Sequence, residues 1–474
     1  MKLIPKIGLE IHLELKTKTK IFCRCPNDPN EIHPNTNICE ICTGQPGTLP
    51  SFNKKVLEYA IMLGKALNCE INKFSYFVRK NYFYPDLPKN YQISQYELPL
   101  CKDGYLKIKN GKKIRIRRVH IEEDTGRLVH IGNESFVDFN RAGIPLLEIV
   151  TEPDIESSEE AKSFAEELIL IAKYLGISDA SPEKGEIRFE ANISIAPEDS
   201  KELGTKVEVK NLGSLRSLRD AIDFEIERQM KLFKEGKEII RETRGFDEGK
   251  RITFSQRWKE EAEDYRYFPE PDLPPIILSD EYIESIQIKE LPEKRRERFQ
   301  AEYNLSPDET EIFIKNKELG DFYEKTYSEL KAMMEIFDTK LLYNILVNDV
   351  LGLLEKYEKE LIDLDFKPYD LALLLNKLQK DEISIKILKD ILKEVIEKNE
   401  SVKSLLEKKK VLKDENMILE LIEEVVKENP KAVDDYKKGK EGVLQFFIGE
   451  LLKKTKGQID INIAKDLLIK RLKE

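Results

Sequence analysis

The sequence lacks any apolar run close to the roughly twenty residues that a membrane-spanning helix requires. Its first residues, Met1-Lys2-Leu3-Ile4-Pro5, also lack the apolar core of a secretory signal peptide. Membrane and secreted classes are therefore disfavoured, and we expect a cytoplasmic protein with no membrane partner. Apolar residues make up 40% of the chain and charged residues 35%, which is typical of a globular protein with an ionic surface.

Two signatures that commonly bind nucleotide phosphates are missing as well. The chain contains neither a G-x-x-x-x-G-K-[ST] loop nor a G-x-G-x-x-G fingerprint. Any ATP site must therefore be built on the face of a sheet and not at a helix N-terminus.

An excess of basic charge is also absent, since 79 basic and 89 acidic residues give a formal net charge of −10. Such a chain is not a general nucleic-acid coat. Residues 431–474 reverse the balance, with 11 basic and 7 acidic residues. This local charge predicts an RNA-facing surface, although the solvated side of a helix would show the same pattern.

The length of 474 residues predicts two or three domains. Residues 1–293 hold every cysteine and histidine and most of the glycine and proline, in short alternating stretches typical of strands. The remainder repeats Leu, Ile, Lys and Glu with helical spacing. We predict an α+β protein with a sheet domain over residues 1–293, a helical domain over 294–407 and a small helical tail over 408–474. Lys408-Lys409-Lys410 is the predicted linker.

Two helices are expected to brace the sheet. Ser157-Ser158-Glu159-Glu160 has capping-box spacing, and Gly176 is positioned to end the helix that follows. The second helix spans residues 214–236. Its predicted apolar stripe consists of Leu215, Leu218, Ile222, Ile226, Met230 and Phe233.

Cysteine is scarce, and its placement excludes a spread disulfide framework. Four of the six cysteines lie between positions 23 and 42, as the close pairs Cys23/Cys25 and Cys39/Cys42. Two such pairs can surround one tetrahedral Zn²⁺ ion and leave no open position, so the predicted site is structural. His33 lies between the pairs and could replace one sulfur. The alternative is four free thiols. Cys69 and Cys101 are expected simply to be buried.

Four predicted strands each carry one polar face, because side chains two residues apart point the same way. The strands are residues 7–14, 114–124, 186–194 and 206–210, and their polar positions include Glu10, His12, His120, Glu122, Arg188, Glu190, Asn192, Glu208 and Lys210. A polar face in water explains any one strand alone. Together, converging carboxylates would hold Mg²⁺, and the basic groups beside them would take ATP phosphates.

Two segments combine aromatic residues with proline. Residues 79–95 and 264–275 are poor helix formers, and rigid loops of this composition commonly wall a binding site. Their rings could equally fill the core beneath the loops, and both roles are compatible.

These motifs together resemble the B subunit of the glutamine-dependent aspartyl/glutamyl-tRNA amidotransferase. The matching segments, in the same order as in that family, are residues 8–12, 79–86, 91–95, 120–124, 140–143, 148–150 and 264–275. The resemblance covers roughly the first 275 residues, and the helical half is similar to the family's helical tail domains.

The resemblance implies a sheet-based cradle related in fold to glutamine synthetase, then a helical domain and a tail that contacts tRNA. It implies ATP-dependent phosphorylation of the side-chain carboxylate of Glu on tRNA(Gln), or of Asp on tRNA(Asn), followed by amidation. Ammonia would come from an amidase, the A subunit, with a small C subunit completing a heterotrimer. ATP, Mg²⁺ and a structural Zn²⁺ are the expected ligands.

Site residues carry over position by position. The resemblance implies that the magnesium ligands are Glu10, His12, Glu123 and Glu208, and that the catalytic residues are Glu10, Lys80, Glu123 and Glu190. Arg79, Lys80 and Arg188 are the expected ATP contacts, and Cys23, Cys25, Cys39 and Cys42 the zinc ligands. The family's Asp-Ala-Asn is Glu190-Ala191-Asn192 here. Strand alternation, in contrast, places Glu122 and not Glu123 on the face of His120, so both stay candidates.

Two other functions compete with this one. An RNA-binding scaffold with an inactive sheet would have no need for so many carboxylates on strand centres. The related archaeal-type subunit, restricted to Glu-tRNA(Gln), normally carries an extra inserted domain, for which 474 residues leave little room.

Overall fold

The computed structural model describes residues 2–28, 30–198, 200, 202–258, 264–408, 414–437, 440, 442–455 and 459–473. The chain divides into two compact units, Met1–Arg295 and Arg296–Glu474. Lys409 and Lys410 of the predicted linker lie outside the described residues. The predicted borders after residues 293 and 407 therefore stay predictions.

Sixteen strands are found in the described part of the first unit. They are β1 Leu3–Glu14, β2 Glu70–Ile71, β3 Phe74–Ser75, β4 Val78–Asn81, β5 Tyr91–Ser94, β6 Cys101–Lys107, β7 Lys113–Glu123, β8 Arg127–Ile131, β9 Glu134–Asp138, β10 Pro145–Thr151, β11 Ile187–Pro197, β12 Val207–Leu212, β13 Glu242–Asp247, β14 Ile252–Trp258, β15 Phe268–Pro269 and β16 Ile276–Ile277. The four strands predicted with polar faces correspond to β1, β7, β11 and β12.

Nine strands form one large sheet, in the order β14-β13-β12-β11-β1-β10-β7-β6-β2. Strands β12 and β13 run parallel and the other neighbours are antiparallel, so the sheet is mixed. A separate three-stranded sheet has the order β15-β4-β5. The predicted mixed-sheet domain followed by helices is confirmed.

One face of the large sheet forms the core of this unit. Leu9 lies opposite Ala191, and Ile11 lies opposite both Phe189 and Ile149, so the apolar positions of neighbouring strands share a face. Helices α1 Lys54–Ala66, α2 Ser158–Leu175 and α3 Leu215–Lys234 contribute apolar side chains to the same core. Burial of this face leaves the polar positions of the strands on the other face.

The capping predictions for α2 are confirmed. The Ser157 side chain accepts a hydrogen bond from the backbone N–H of Glu160, and Gly176 ends the helix at a φ of 71°, which only glycine adopts without strain. The reciprocal half of the capping box differs, because the Glu160 carboxylate accepts from the backbone N–H of Glu156 at 2.9 Å and not from that of Ser157.

Helix α3 begins after Ser214 as expected, but its apolar stripe is only partly buried. Phe233 is 42% exposed, whereas Glu225 and Gln229 are fully buried. The Glu225 carboxylate accepts hydrogen bonds from the side chains of Arg228, Gln229 and Thr253. This network satisfies the buried charge, and the helical period alone does not reveal it.

The remaining helices lie C-terminal to the sheet. They are α4 Asp280–Ser285, α5 Pro292–Tyr303, α6 Pro307–Lys315, α7 Lys317–Met333, α8 Thr339–Asn344, α9 Gly352–Lys356, α10 Pro368–Gln379, α11 Ile385–Lys398, α12 Val402–Lys408, α13 Glu415–Glu428, α14 Pro430–Lys437, α15 Val443–Lys454 and α16 Ile461–Lys473. A π-helical turn, Ile345–Leu351, joins α8 to α9, and a short 3₁₀ turn spans Leu361–Asp363.

The second unit contains two apolar cores. One core is built mainly by side chains of α5 to α12, among them Phe299, Tyr323 and Leu388. The other core is built by α13 to α16 and includes Ile422 and Phe447. Within the described ranges, no helix has both the length and the apolar character to cross a membrane.

Candidate active site

The polar face of the sheet is assembled by strand register. The opposed pairs are Glu10–Glu190, His12–Glu148, Glu148–His120 and Asn192–Glu208. Because opposed residues of neighbouring strands point to the same face, these side chains converge. All of them except Asn192 line a cleft of about 680 Å³ on β7, β10, β1, β11 and β12.

One carboxylate cluster joins three strands of this cleft. Carboxylate oxygens of Glu10, Glu190 and Glu208 all lie within 4.8 Å of one another. Burial, together with the neighbouring Glu10 and Glu208, raises the pKa of Glu190. The Lys210 ammonium lies 3.4 Å from the Glu190 carboxylate and 3.6 Å from that of Glu208. Three carboxylates this close repel one another, and a bound cation would relieve that repulsion.

A second cluster contains one histidine and two carboxylates. A ring nitrogen of His12 and oxygens of Glu122 and Glu148 lie within 4.8 Å of one another. The Nε2 atom of His120 is 3.3 Å from Glu148. Burial opposes protonation of His12, but its hydrogen bond to Glu148 raises its pKa overall. The structure thus divides the predicted magnesium ligands Glu10, His12 and Glu208 between two neighbouring clusters.

Strand β5 holds Glu122 from the side. Ser94 Oγ donates to one carboxylate oxygen at 2.6 Å, and Gln92 Nε2 donates to the other at 3.0 Å. The Lys80 ammonium on β4 lies 3.8 Å from Glu122. Despite burial, the Lys80 and His120 charges lower the pKa of Glu122 to about 2. Glu122 is therefore an anion in the folded protein.

Glu123 points away from both clusters. Its carboxylate accepts hydrogen bonds from Lys89 Nζ at 2.5 Å and from the backbone N–H of Ile93 at 2.8 Å. Burial raises the pKa of Glu123. The expected grouping of Glu123 with Glu10 and His12 is not what the structure has, because β7 continues through Glu123 and its alternation places Glu122 in the cleft.

Of the three predicted ATP contacts, two line the cleft and one does not. Lys80 and Arg188 line the cleft, and Arg188 pairs with Asp124 at 3.0 Å. Despite burial, the Glu122 and Glu148 charges raise the pKa of Lys80 well above its usual range. Arg79 does not reach the cleft, since alternation turns it to the other side of β4, where its Nε donates to Glu270 at 2.7 Å.

The two aromatic segments do wall the cleft. Five aromatic side chains of these segments line it, namely Tyr82, Phe83, Tyr84, Tyr265 and Tyr267, and Tyr96 and Phe189 line it from outside the segments. The rings of Tyr96 and Tyr267 stack with centroids 4.3 Å apart. The ring of Tyr91, from the first segment, is partly buried and packs against the core. Both expected roles, walling a cleft and filling core, are therefore seen.

Several buried polar atoms in the cleft or beside it have no hydrogen-bond partner. They are Nε of Arg118, Nδ1 of His120, Nε of Arg188 and Oδ1 of Asn192. Buried polar groups of folded proteins are normally paired, so such atoms at one place mark a site that a ligand completes. Sequence reasoning placed Asn192 on a polar strand face and Glu148 in a family motif, but it assigned neither residue a ligand or catalytic role. A lone carboxylate in the apolar strand β10 was the available signal for Glu148.

The four cysteines of the predicted zinc site are brought together. The sulfurs of Cys23, Cys25, Cys39 and Cys42 lie within 4.8 Å of one another. His33 is exposed instead and bonds to Glu31 at 2.9 Å. As expected, Cys101 is buried, and Cys69 is partly buried.

A buried lysine accompanies the cysteine cluster. Lys20 is 0% exposed, and its Nζ lies 3.7 Å from Cys42 Sγ and 3.4 Å from the Phe139 carbonyl oxygen. A hydrogen bond from Cys23 and the Lys20 charge lower the pKa of Cys42 to about 5, whereas burial raises the pKa of Cys25 to about 12. The Lys20 charge thus favours a thiolate at Cys42, whereas burial opposes ionisation of Cys25.

Comparison with known families defines the class of this protein. A family model described as the GatB/GatE catalytic domain matches residues 5–284. A second model, described as a GatB domain, matches residues 322–472. The first match assigns the sheet domain, which contains the cleft, to a family of catalytic domains. The second match assigns most of the helices that follow to a domain of the same family.

Full-length relatives narrow the class to one family. The chain is 44% identical to the B subunit of the aspartyl/glutamyl-tRNA(Asn/Gln) amidotransferase of Carboxydothermus hydrogenoformans over 481 residues, which cover 98% of both chains. It is also 44% identical to proteins of the same name from Thermotoga maritima, over 100% of this chain and 99% of the relative, and from Persephonella marina, over 100% of both. The chain therefore belongs to the family of amidotransferase B subunits, as its motifs indicated.

Proposed function

We propose that the chain is the subunit of a tRNA-dependent amidotransferase that activates the aminoacyl side chain. It uses ATP to phosphorylate the carboxylate of Glu-tRNA(Gln) and of Asp-tRNA(Asn), and the acyl phosphate then reacts with ammonia. The observation that carries this proposal is the cleft in the matched catalytic domain, where carboxylates of five strands face Lys80, Arg118 and Arg188. The names of the relatives support the substrate.

The chemistry explains why such a cleft is needed. A carboxylate is a poor electrophile, and phosphorylation converts it into an acyl phosphate that ammonia attacks readily. The site has to offset charge on the transferred phosphoryl group and keep water from the intermediate. The aromatic walls of the cleft serve the second task.

The residues present fit divalent cations. Carboxylate oxygens are the ligands that Mg²⁺ prefers, and the buried Oδ1 atom of Asn192 beside Glu10 and Glu208 has no partner in the protein. We assign Glu10, Glu190 and Glu208 to one cation and His12, Glu122 and Glu148 to another. Bound Mg²⁺ would offset the γ-phosphate charge.

Protein cations complete the proposed ATP site. Lys80 stays protonated beside Glu122, and Arg118 and Arg188 each have a buried Nε without a partner. These groups are suited to phosphate oxygens or to the substrate carboxylate. Arg79 is assigned a structural role, since Glu270 and Asp272 bind it outside the cleft.

Zn²⁺ fits the cysteine cluster. A dication allows all four sulfurs to ionise, and the buried Lys20 offsets part of the resulting negative charge. With four protein ligands the ion would be structural. It would fasten the loop of residues 23–42 against Glu123 at the end of β7 and Gly143 in the turn before β10.

The relatives are named as B subunits, which supports an enzyme of several subunits, and the individual partners are proposed from the family resemblance and from the surface charge. An amidase, the A subunit of the assembly, supplies ammonia. A small C subunit completes the heterotrimer, which works in the cytoplasm. The tail, residues 408–474, is assigned to tRNA because of its local excess of Lys and Arg.

The decisive assay is ATP- and glutamine-dependent amidation of Glu-tRNA(Gln), with and without the amidase. We expect amidation with glutamine only when the amidase is present, and amidation with added ammonium salt by the chain alone or with its small partner. Failure of the complete assembly to amidate either misacylated tRNA would reject the proposal.

A further inference from the structure

We propose that Thr243 is a positioning residue, which holds the Glu208 carboxylate in the orientation that binds a divalent cation together with Glu10 and Glu190. This inference rests on the proposed cation site. It adds a residue outside the cluster that neither the sequence motifs nor the family match assigns to it.

The contact is direct and buried. Thr243 lies opposite Glu208 in the parallel pair of β12 and β13. Its Oγ1 donates a hydrogen bond to Glu208 Oε2 at 3.0 Å, and the two residues are 5% and 6% exposed. The other oxygen, Oε1, is 3.6 Å from the Lys210 ammonium. The two oxygens of Glu208 are therefore distinguished by their neighbours.

A hydroxyl group is suited to this task. It fixes the carboxylate without adding a positive charge that would compete with a cation, and it occupies only part of the acceptor capacity of Oε2. A glutamate side chain has three rotatable bonds, so a fixed carboxylate spares the entropy that a free one loses on binding a metal. Loss of such a supporting hydrogen bond typically lowers metal affinity by about 10- to 100-fold.

Glu10, a second proposed ligand of the same cation, is also held by a neutral hydrogen-bond donor. Asn192 Nδ2 donates to Glu10 Oε1 at 2.8 Å, so Glu10 is held from β11 as Glu208 is held from β13. Glu10 and Glu208 lie on different strands, and each has its own neutral donor. Together with Glu190, they form a preorganised set of oxygen ligands.

The same sheet provides a matched control. Thr253 Oγ1 on β14 donates to Glu225 Oε2 at 3.1 Å, and Thr253 is 4% exposed. This pair has the same donor and acceptor groups as Thr243 and Glu208 and similar burial, and Thr253 Oγ1 also accepts a hydrogen bond from Arg244 Nε at 2.8 Å. Glu225, however, belongs to α3 and does not line the cleft. Removal of the Thr253 hydroxyl therefore measures how much the loss of such a hydrogen bond lowers the stability of the protein. It leaves the cluster of Glu10, Glu190 and Glu208 unchanged.

The test measures binding of Mn²⁺ alone to the full chain. Thr243→Val removes the hydroxyl and keeps the shape, Thr243→Ala removes it in a second way, and Thr243→Ser keeps it. Thr253→Val is the control, and Glu10→Gln identifies which part of the Mn²⁺ titration belongs to this cluster. Thermal unfolding of each variant is recorded in parallel.

We expect Thr243→Val and Thr243→Ala to weaken the Glu10-dependent Mn²⁺ site by about 10-fold or more. Thr243→Ser and Thr253→Val should bind as the natural chain does, although Thr253→Val should lower the melting temperature as Thr243→Val does. The inference is overturned if Thr243→Val and Thr243→Ala both bind Mn²⁺ with the affinity of the natural chain. It is also overturned if Thr253→Val loses as much Mn²⁺ affinity as they do. Absence of Glu10-dependent Mn²⁺ binding in the natural chain would instead overturn the cation site itself and the inference with it.

Discussion

Glu122 and Glu123 are neighbouring carboxylates with opposite surroundings. Glu122 faces His12 and Glu148 in the cleft and is fixed by β5, whereas Glu123 is bound by Lys89 on the other side of β7. The pair therefore offers a natural comparison between a carboxylate inside the proposed site and one beside it.

We predict different effects for Glu122→Gln and Glu123→Gln. Glu122→Gln should slow ADP formation dependent on Glu-tRNA(Gln) by about 100-fold, since loss of one charge at a metal-assisted phosphoryl transfer costs roughly 3 kcal/mol of barrier. Glu123→Gln should leave this first step within a few-fold of the natural rate. Rapid-quench measurement of ADP distinguishes the two. Equal loss in both variants, or a greater loss in Glu123→Gln, would contradict the placement.

At this scale, strand alternation in the sequence was sufficient to place Glu10, His12, Glu122, Glu190 and Glu208 on polar faces. It could not pair the strands, so the division into two clusters was not predictable. Glu148 was assigned no site role because five apolar or proline neighbours surround it in β10, a pattern typical of a buried strand. Thr243 escaped notice because a lone threonine in a strand carries no functional signal.

Among the elements, the cysteine loop was the most predictable part of the site. Two close Cys pairs restrict the possible geometry strongly, and the structure brings all four sulfurs together. The buried Lys20 was not predictable, since a lysine three residues before Cys23 resembles a solvated one. Glu225 and Gln229 in α3 were missed for a related reason. Glu225 pairs with Arg244 of β13 and Thr253 of β14, and Gln229 donates to Ile193 of β11, all of which lie elsewhere in the sequence.

For this loop we predict one equivalent of bound zinc per chain. Cys39→Ser should release the metal and lower the melting temperature by several degrees, because the loop loses the bond that closes it. Elemental analysis and thermal unfolding measure the two effects. Cys69→Ser is the control and should retain zinc, since Cys69 lies outside the cluster. A metal-free natural protein with undiminished stability would refute the zinc assignment.

For the whole molecule, composition alone separated a sheet-containing part from a helical part. The fold class is confirmed, and a catalytic-domain match over residues 5–284 coincides with the strand-rich part. The tail has its own apolar core of α13 to α16. The proposed tRNA-binding role of the tail rests on its charge. Charge predicts that the tail attracts tRNA, but it does not predict how the tRNA is oriented on the tail.

Deletion of residues 411–474 should weaken tRNA binding by the assembled enzyme while sparing its glutaminase activity. Phosphate contacts release counterions, so the affinity lost on deletion should be largest at low salt and should shrink as salt rises. Filter binding or anisotropy over a salt series measures this. Identical tRNA affinities of the full and shortened chains at every salt concentration would rule out a tRNA contact by the tail.

The central claim is that the polar face of the sheet activates the aminoacyl carboxylate, and Glu10→Gln tests it most directly. This change keeps the size of the side chain and removes one charge from the cluster. Glu186→Gln is the control, because the buried Glu186 carboxylate near the start of β11 accepts a hydrogen bond from the Ser181 backbone N–H outside the cleft. In the assembled enzyme, ADP release dependent on Glu-tRNA(Gln) should fall by about 100-fold in Glu10→Gln, with tRNA affinity unchanged and Glu186→Gln near normal. ADP release at the natural rate in Glu10→Gln would contradict the account and favour a sheet that only supports tRNA binding.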